Sequence, residues 1–95
     1  MRLSPQEQTT IKSLVRKACQ AQALYLYGSR ADDARKGGDI DLFLEPTTAL
    51  TLKEQLQLQY QLMSACDTQI DLLVKNPSKA ETPFFSLARQ GIRLI

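Results

Sequence analysis

Two short apolar runs at residues 23–27 and 39–44 flank a polar stretch ending in Gly37-Gly38, and this arrangement constrains the fold more than any other feature. The first run, Ala23-Leu24-Tyr25-Leu26-Tyr27, is stopped by Gly28 and reads as a strand. The second alternates acidic and apolar side chains from Asp39 to Leu44 and ends at Pro46, so it reads as a strand with one wet face. Residues 29–38 form a polar loop that returns the chain, so the two strands are expected to run antiparallel.

The flanking segments add helices. Ser4-Pro5-Gln6-Glu7 carries an N-cap, a proline at the first helical position and the glutamate of a capping box. Ile11, Leu14, Val15, Ala18 and Cys19 then recur at helical spacing, which predicts a helix over residues 5–20 with one face turned inward. Residues 49–66 present a conflict. Gln55 to Leu62 alternates polar and apolar like a strand, yet the segment is rich in Leu, Gln, Glu, Lys, Met and Ala and too long for an ordinary strand. It is read as a helix. Two apolar stripes mark it, Leu52, Leu56, Tyr60 and Met63 on one side and Leu58, Leu62, Ala65 and Cys66 on the other. Together they cover more than one sheet face can occupy, which favours a partner chain against part of this helix.

Residues 70–74 form a third strand, ended by Asn76-Pro77. Thr82-Pro83 starts a last helix, Gly91 is expected to close it in the C′ position, and residues 92–95 form a short terminal strand. A helix lies between the second and third strands, so their natural connection is a parallel crossover. The expected fold is a single α/β (α+β) domain over residues 1–95: a small mixed sheet with helices packed on it.

Composition removes several function classes. The 95 residues include no histidine, which excludes His-based acid–base catalysis and His-ligated zinc. The net charge of +2 is too small to argue for nucleic acid or membrane, and nucleic acid is not expected as a direct partner. No apolar run approaches membrane-spanning length, and the N-terminus lacks a signal-peptide pattern. Cys19 and Cys66 read as reduced, inward-facing thiols. The expected setting is cytoplasmic.

The chemistry concentrates around the second strand. In Asp39-Ile40-Asp41-Leu42 the strand period puts both carboxylates on one face and both aliphatic side chains on the core side. Carboxylates about 7 Å apart along a strand repel unless water screens them or a cation sits between them, and hard oxygens suit Mg²⁺. Alone, such a pair is an ordinary solvent face. Asp71, in Gln69-Ile70-Asp71-Leu72, changes that weighting. If its strand is parallel to the second, Asp71 starts on the same sheet edge, and a third converging carboxylate is the usual way to hold two metal ions for phosphoryl transfer. Gly28-Ser29-Arg30 follows the first strand and comes beside Asp39 if the pairing is antiparallel. There glycine admits close approach, and backbone N–H groups with the Ser29 hydroxyl can cradle phosphate oxygens. Arg30 stands next to Ser29 and suits bidentate phosphate contact; Arg35 and Lys36 have weaker claims. Asp32 and Asp33 read as loop residues, Glu45 lies too far along its strand, Lys75 reads as an edge charge, and Tyr25 and Tyr27 read as packing residues.

Gly28-Ser29, Asp39-x-Asp41 and the later Asp71 resemble the signature of the DNA polymerase β-like nucleotidyltransferase superfamily. The run YGSRADDARKGGDIDLFLE is similar to the minimal nucleotidyltransferases of prokaryotes, many encoded beside a HEPN-domain partner as its antitoxin. The resemblance implies that Asp39 and Asp41 bind the metals and that Asp71 is the third carboxylate, assisting deprotonation of the acceptor hydroxyl. It also implies that Gly28 and Ser29 bind the triphosphate. The reaction implied is Mg²⁺-dependent transfer of a nucleoside monophosphate, with two ions and ATP or another NTP as donor. The leading acceptor is a tyrosine on a HEPN toxin, silenced by AMPylation. With no further recognition domain in these residues, acceptor choice is expected to come from the partner. Two alternatives stand: a non-catalytic module that neutralises its partner by occlusion, and transfer to a small molecule or RNA end. One departure bears on the antitoxin type, since nine residues separate Ser29 from Asp39 where the AMP-transferring antitoxins tend to have about ten.

Overall fold

The computed structural model describes residues 3–31 and 39–95. Helix α1 (Pro5–Ala18) begins with the expected reciprocal cap: the Glu7 amide donates to Ser4 Oγ at 3.0 Å and the Ser4 amide to Glu7 Oε1 at 2.9 Å. Strand β1 (Ala21–Tyr27) runs into a single 3₁₀ turn (Gly28–Ala31), and β2 (Ile40–Pro46) follows. Helix α2 (Leu52–Cys66), β3 (Ile70–Val74), α3 (Pro83–Ala88) and a two-residue β4 (Ile92–Arg93) complete the chain. The Gly37-Gly38 return and the loop residues Asp32, Asp33, Arg35 and Lys36 lie outside the described residues.

The conflict over residues 49–66 resolves to a helix, and a local signal decides it. Thr51 Oγ1 accepts from the Glu54 amide at 3.1 Å while Glu54 Oε1 accepts from the Thr51 amide at 2.9 Å, a second capping box. Ahead of it, Asn76 holds Leu50 by both backbone groups, accepting from its N–H at 2.9 Å and donating to its carbonyl at 3.0 Å. That clamp ties the entry of α2 to the exit of β3.

The sheet order is β3-β2-β1-β4, with β1 antiparallel to both its neighbours and β2 parallel to β3. One face carries Leu24, Leu26, Ile40, Leu42, Leu44 and Ile70, buried beneath Ile11 and Val15 of α1 and Leu58 and Leu62 of α2. Burying each such aliphatic side chain stabilises the fold by about 1.5–3 kcal/mol, and this layer is the main core. On the opposite face a smaller cluster forms, in which Tyr25 and Phe43 of the sheet stack at 5.9 Å between centroids and Phe43 stacks with Phe85 of α3 at 5.5 Å. Arg89 clasps α3 to the sheet: it pairs with Glu45 of β2 at 2.9 Å and Glu81 at 2.9 Å and lies over the Phe43 ring. Its hydrogen bonds, with one from Ser86, hold the Glu81 carboxyl down to about 2. Glu45 is therefore an anchor for α3. Both cysteines are free and half-buried, and burial pushes both thiols up.

The two stripes of α2 separate. Leu58 and Leu62 are buried, Met63 and Cys66 pack against them, and Leu52, Leu56, Tyr60 and Ala65 face outward. Met63 thus belongs to the inner stripe and Ala65 to the outer surface, because α2 rests on α1 and β3 along a single face.

Gly91 does not cap α3 as expected. The helix ends at Ala88 with Arg89 as C-cap, and Gly91 lies two residues beyond it. Its requirement is space, since a Cβ there would collide with the Leu26 carbonyl oxygen of β1. Gly91→Ala should therefore cost about 1–3 kcal/mol through a forced shift of β4, read by urea unfolding. Unchanged stability would show that β4 moves aside freely.

Candidate active site

The strand register assembles the carboxylates. In the antiparallel pair Tyr27 lies opposite Asp41, and in the parallel pair Asp41 lies opposite Asp71. Adjacent strands are about 4.8 Å apart, so Asp71, Asp41 and Tyr27 form a row across three strands at one edge of the sheet. Ile40 and Leu42, of opposite parity, are fully buried on the helix side, as the alternation requires.

Asp41 occupies the middle of the row. Partial burial is the largest influence raising its carboxyl above the ordinary range; the negative charges of Asp71 and Asp39 follow, with a side-chain hydrogen bond to Asp71. Asp39 stands on the lead-in to β2 and is exposed, as is Asp71. The structure thus joins Asp41 to Asp71 directly and brings Asp39 within electrostatic range. Among the described residues these groups do not close into a ready-made metal cage. Such an open set of hard oxygens fits Mg²⁺, which commonly takes one or two carboxylates and completes its shell with water and phosphate. A cation here would also relieve the crowding of negative charge around Asp41.

The turn after β1 meets this row. Gly28 has φ +74°, a left-handed conformation, and a Cβ on it would overlap Asp41 Oδ2. Glycine is required twice over: for the backbone conformation and for contact with the carboxylate. Ser29 and Arg30 belong to the same turn, and Arg30 is half-buried. The part expected of the Ser29 hydroxyl falls outside what the structure describes.

Sequence reading treated Tyr27 only as packing. Tyr25 is indeed buried against Phe43, but Tyr27 flanks the carboxylates, with its phenol pushed up by burial first and then by Asp41 and Asp71. Its ring meets Phe84 of α3 edge-on at 6.0 Å. Parity alone could have put Tyr27 on the Asp41 face, since it is the last residue of β1 and Tyr25 pairs with Phe43. Phe84 carried no comparable signal, because its place depends on where α3 lands.

The family model for polymerase beta, nucleotidyltransferase, matches residues 9–95. The chain belongs to this family. The described strands and helices agree with a nucleotidyltransferase fold, and the Gly28 turn and Asp41–Asp71 pair lie where the sheet edge opens. No curated protein matches this nucleotidyltransferase in sequence. Among solved structures it is similar to a chain of a toxin–antitoxin with AMP-PNP, at 26% identity and a TM-score of 0.79, over 93% of this chain and 72% of that one. A second similarity is to a chain of the tri-AMPylated Shewanella oneidensis HEPN toxin in complex with MNT antitoxin. There the identity is 26% and the TM-score 0.75, over 95% of this chain and 70% of that one. The MntA-HepT toxin–antitoxin, at 24% identity and a TM-score of 0.75, shares the fold. Among the described residues no helix is long and apolar enough to cross a membrane.

Proposed function

We propose that this nucleotidyltransferase moves AMP from ATP onto a tyrosine hydroxyl of a HEPN-type toxin and so acts as its antitoxin. The observation that carries the chemistry is the closeness of Gly28 to Asp41, which is itself in register with Asp71. The similarity to HEPN–MNT complexes supports the choice of acceptor.

In this reading the Gly28-Ser29 turn grips the β- and γ-phosphates through backbone N–H groups, with Arg30 beside it. Asp39, Asp41 and Asp71 would hold two Mg²⁺ ions, whose charge would neutralise the polyphosphate and stabilise the charge that develops during transfer. Asp71, exposed on the outer strand, takes the proton of the acceptor hydroxyl. The tyrosine oxygen then bonds to the α-phosphorus, the bond to the bridging oxygen of the β-phosphate breaks, and pyrophosphate leaves in line.

The test is intact-mass spectrometry of the protein encoded beside this one, HEPN-type in this reading, after incubation with the chain, ATP and Mg²⁺. The partner should gain one or more units of about 329 Da, the mass of an adenylyl group, and gain none with Asp71→Asn. Occlusion without chemistry is the second reading, favoured by the exposed Leu52, Leu56 and Tyr60 on α2. A stable complex without adduct, formed equally by Asp71→Asn, would establish occlusion instead.

A further inference from the structure

Helix α2 turns one whole face to solvent. Leu52, Leu56 and Tyr60 stand four residues apart on it and are 70%, 58% and 72% exposed. Lys53, Gln57 and Gln61 run beside them as a second row of the same period, and the two rows line a shallow recess of about 820 Å³. Rows of period four are the ridges by which helices most often pack, each settling into the groove beside the other's. A second helix with the same rows fits this face.

Charge says which helix. Charged residues make up 23% of the chain, yet the stretch from Gln55 to Cys66 includes none. A solvated helix face ordinarily carries them, whereas the centre of an interface sheds them. Their place is taken by Gln55, Gln57, Gln59 and Gln61. An amide holds donor and acceptor together, so it can pair with its own copy across a two-fold axis, where a charged side chain would meet its like. Lys53, the one charge in the two rows, stands at the N-terminal end of α2, and antiparallel helices carry the two lysines to opposite ends.

The direction of the face agrees. α2 lies over Ile40 and Leu42, whereas Asp41 and Tyr27 have the opposite parity and belong to the α3 side of the sheet. A body docked on α2 leaves the carboxylates uncovered. A partner bearing the acceptor has to reach them, while a second copy has no such need and leaves both sites open. We propose that the outward face of α2 pairs two copies of this chain, antiparallel about a two-fold axis at Leu56. Leu52 of each copy then lies against Tyr60 of the other. A face one helix wide and about 22 Å long is smaller than the roughly 800 Å² per partner of a standard interface, so the dimer dissociates on dilution.

Sedimentation velocity tests this on the purified chain without nucleotide, which keeps the outcome separate from the transferase reading. The samples are wild type, Leu56→Glu, Leu56→Lys and an equal mixture of the two variants, each from about 5 to 500 µM. Wild type should approach twice the monomer mass as concentration rises, and each variant alone should stay monomeric. The mixture should recover the dimer, because opposite charges then meet across the axis. Leu56 is exposed, so circular dichroism should not change. Wild type that stays monomeric would overturn the proposal, as would dimers that persist in both variants or a mixture that remains monomeric. Monomeric wild type that binds the protein encoded beside it, and loses that binding with Leu56→Glu, would give the face to that partner instead.

Discussion

Asp41→Asn should lower the transfer rate by about a thousandfold or more without weakening the fold. Asp41 is the carboxylate that links the candidate site: it bonds Asp71 across the strand pair, feels the charge of Asp39 two residues earlier, and lies against Gly28. An amide has nearly the same shape and no charge, so it removes the proposed metal ligand and also the repulsion that raises the Asp41 carboxyl. Stability and activity should therefore move apart, with a melting temperature equal to or above that of the wild type. Transfer assays and a thermal melt on the same preparation check both halves. Activity within about tenfold of wild type would remove Asp41 from the site. A melting temperature lowered by more than about 5 °C would show that the carboxylate is structural.

Gly28→Val should abolish nucleotide binding through a different cause. At φ +74° a β-branched residue is strained, and its Cβ would drive into the Asp41 carboxylate. The turn must either open away from β2 or push Asp41 aside, and either movement separates the proposed phosphate grip from the carboxylate. Affinity for Mg-ATP should fall by about a hundredfold or more, and stability by roughly 1–3 kcal/mol. Calorimetry under conditions where circular dichroism shows the variant folded isolates the binding effect. Affinity equal to wild type in the folded variant would reduce the turn to a connection between two strands.

Much of the placement of the candidate site was legible because strand parity is a strict rule. The alternation from Asp39 to Leu44 assigned each side chain to a face, and Asp71 joined Asp41 once a helix between the strands implied a parallel crossover. The Ser4–Glu7 capping box located the start of α1 for an equally local reason. The ambiguity at residues 49–66 also had a local answer, the Thr51–Glu54 capping box, which outweighs eight residues of accidental alternation. What the sequence could not convey depends on distant elements meeting. Gly91 looked like a helix terminator, and only the approach of β4 to Leu26 shows that it makes room. Phe84 and Leu87 look like any apolar pair on a short helix until the Arg89 clasp brings α3 beside Tyr27.

The parallel pairing of β2 with β3 has a consequence for the life of the chain as it is made. The Gly28 turn and Asp41 come together by a connection between neighbours in sequence, whereas Asp71 arrives only after α2 has been synthesised and has crossed the sheet. Half of the site is thus within reach of a nascent chain, and the group proposed to take the acceptor proton is delivered by the slower, long-range step. In the proposed reading, transfer has to wait until the crossover between β2 and β3 has closed.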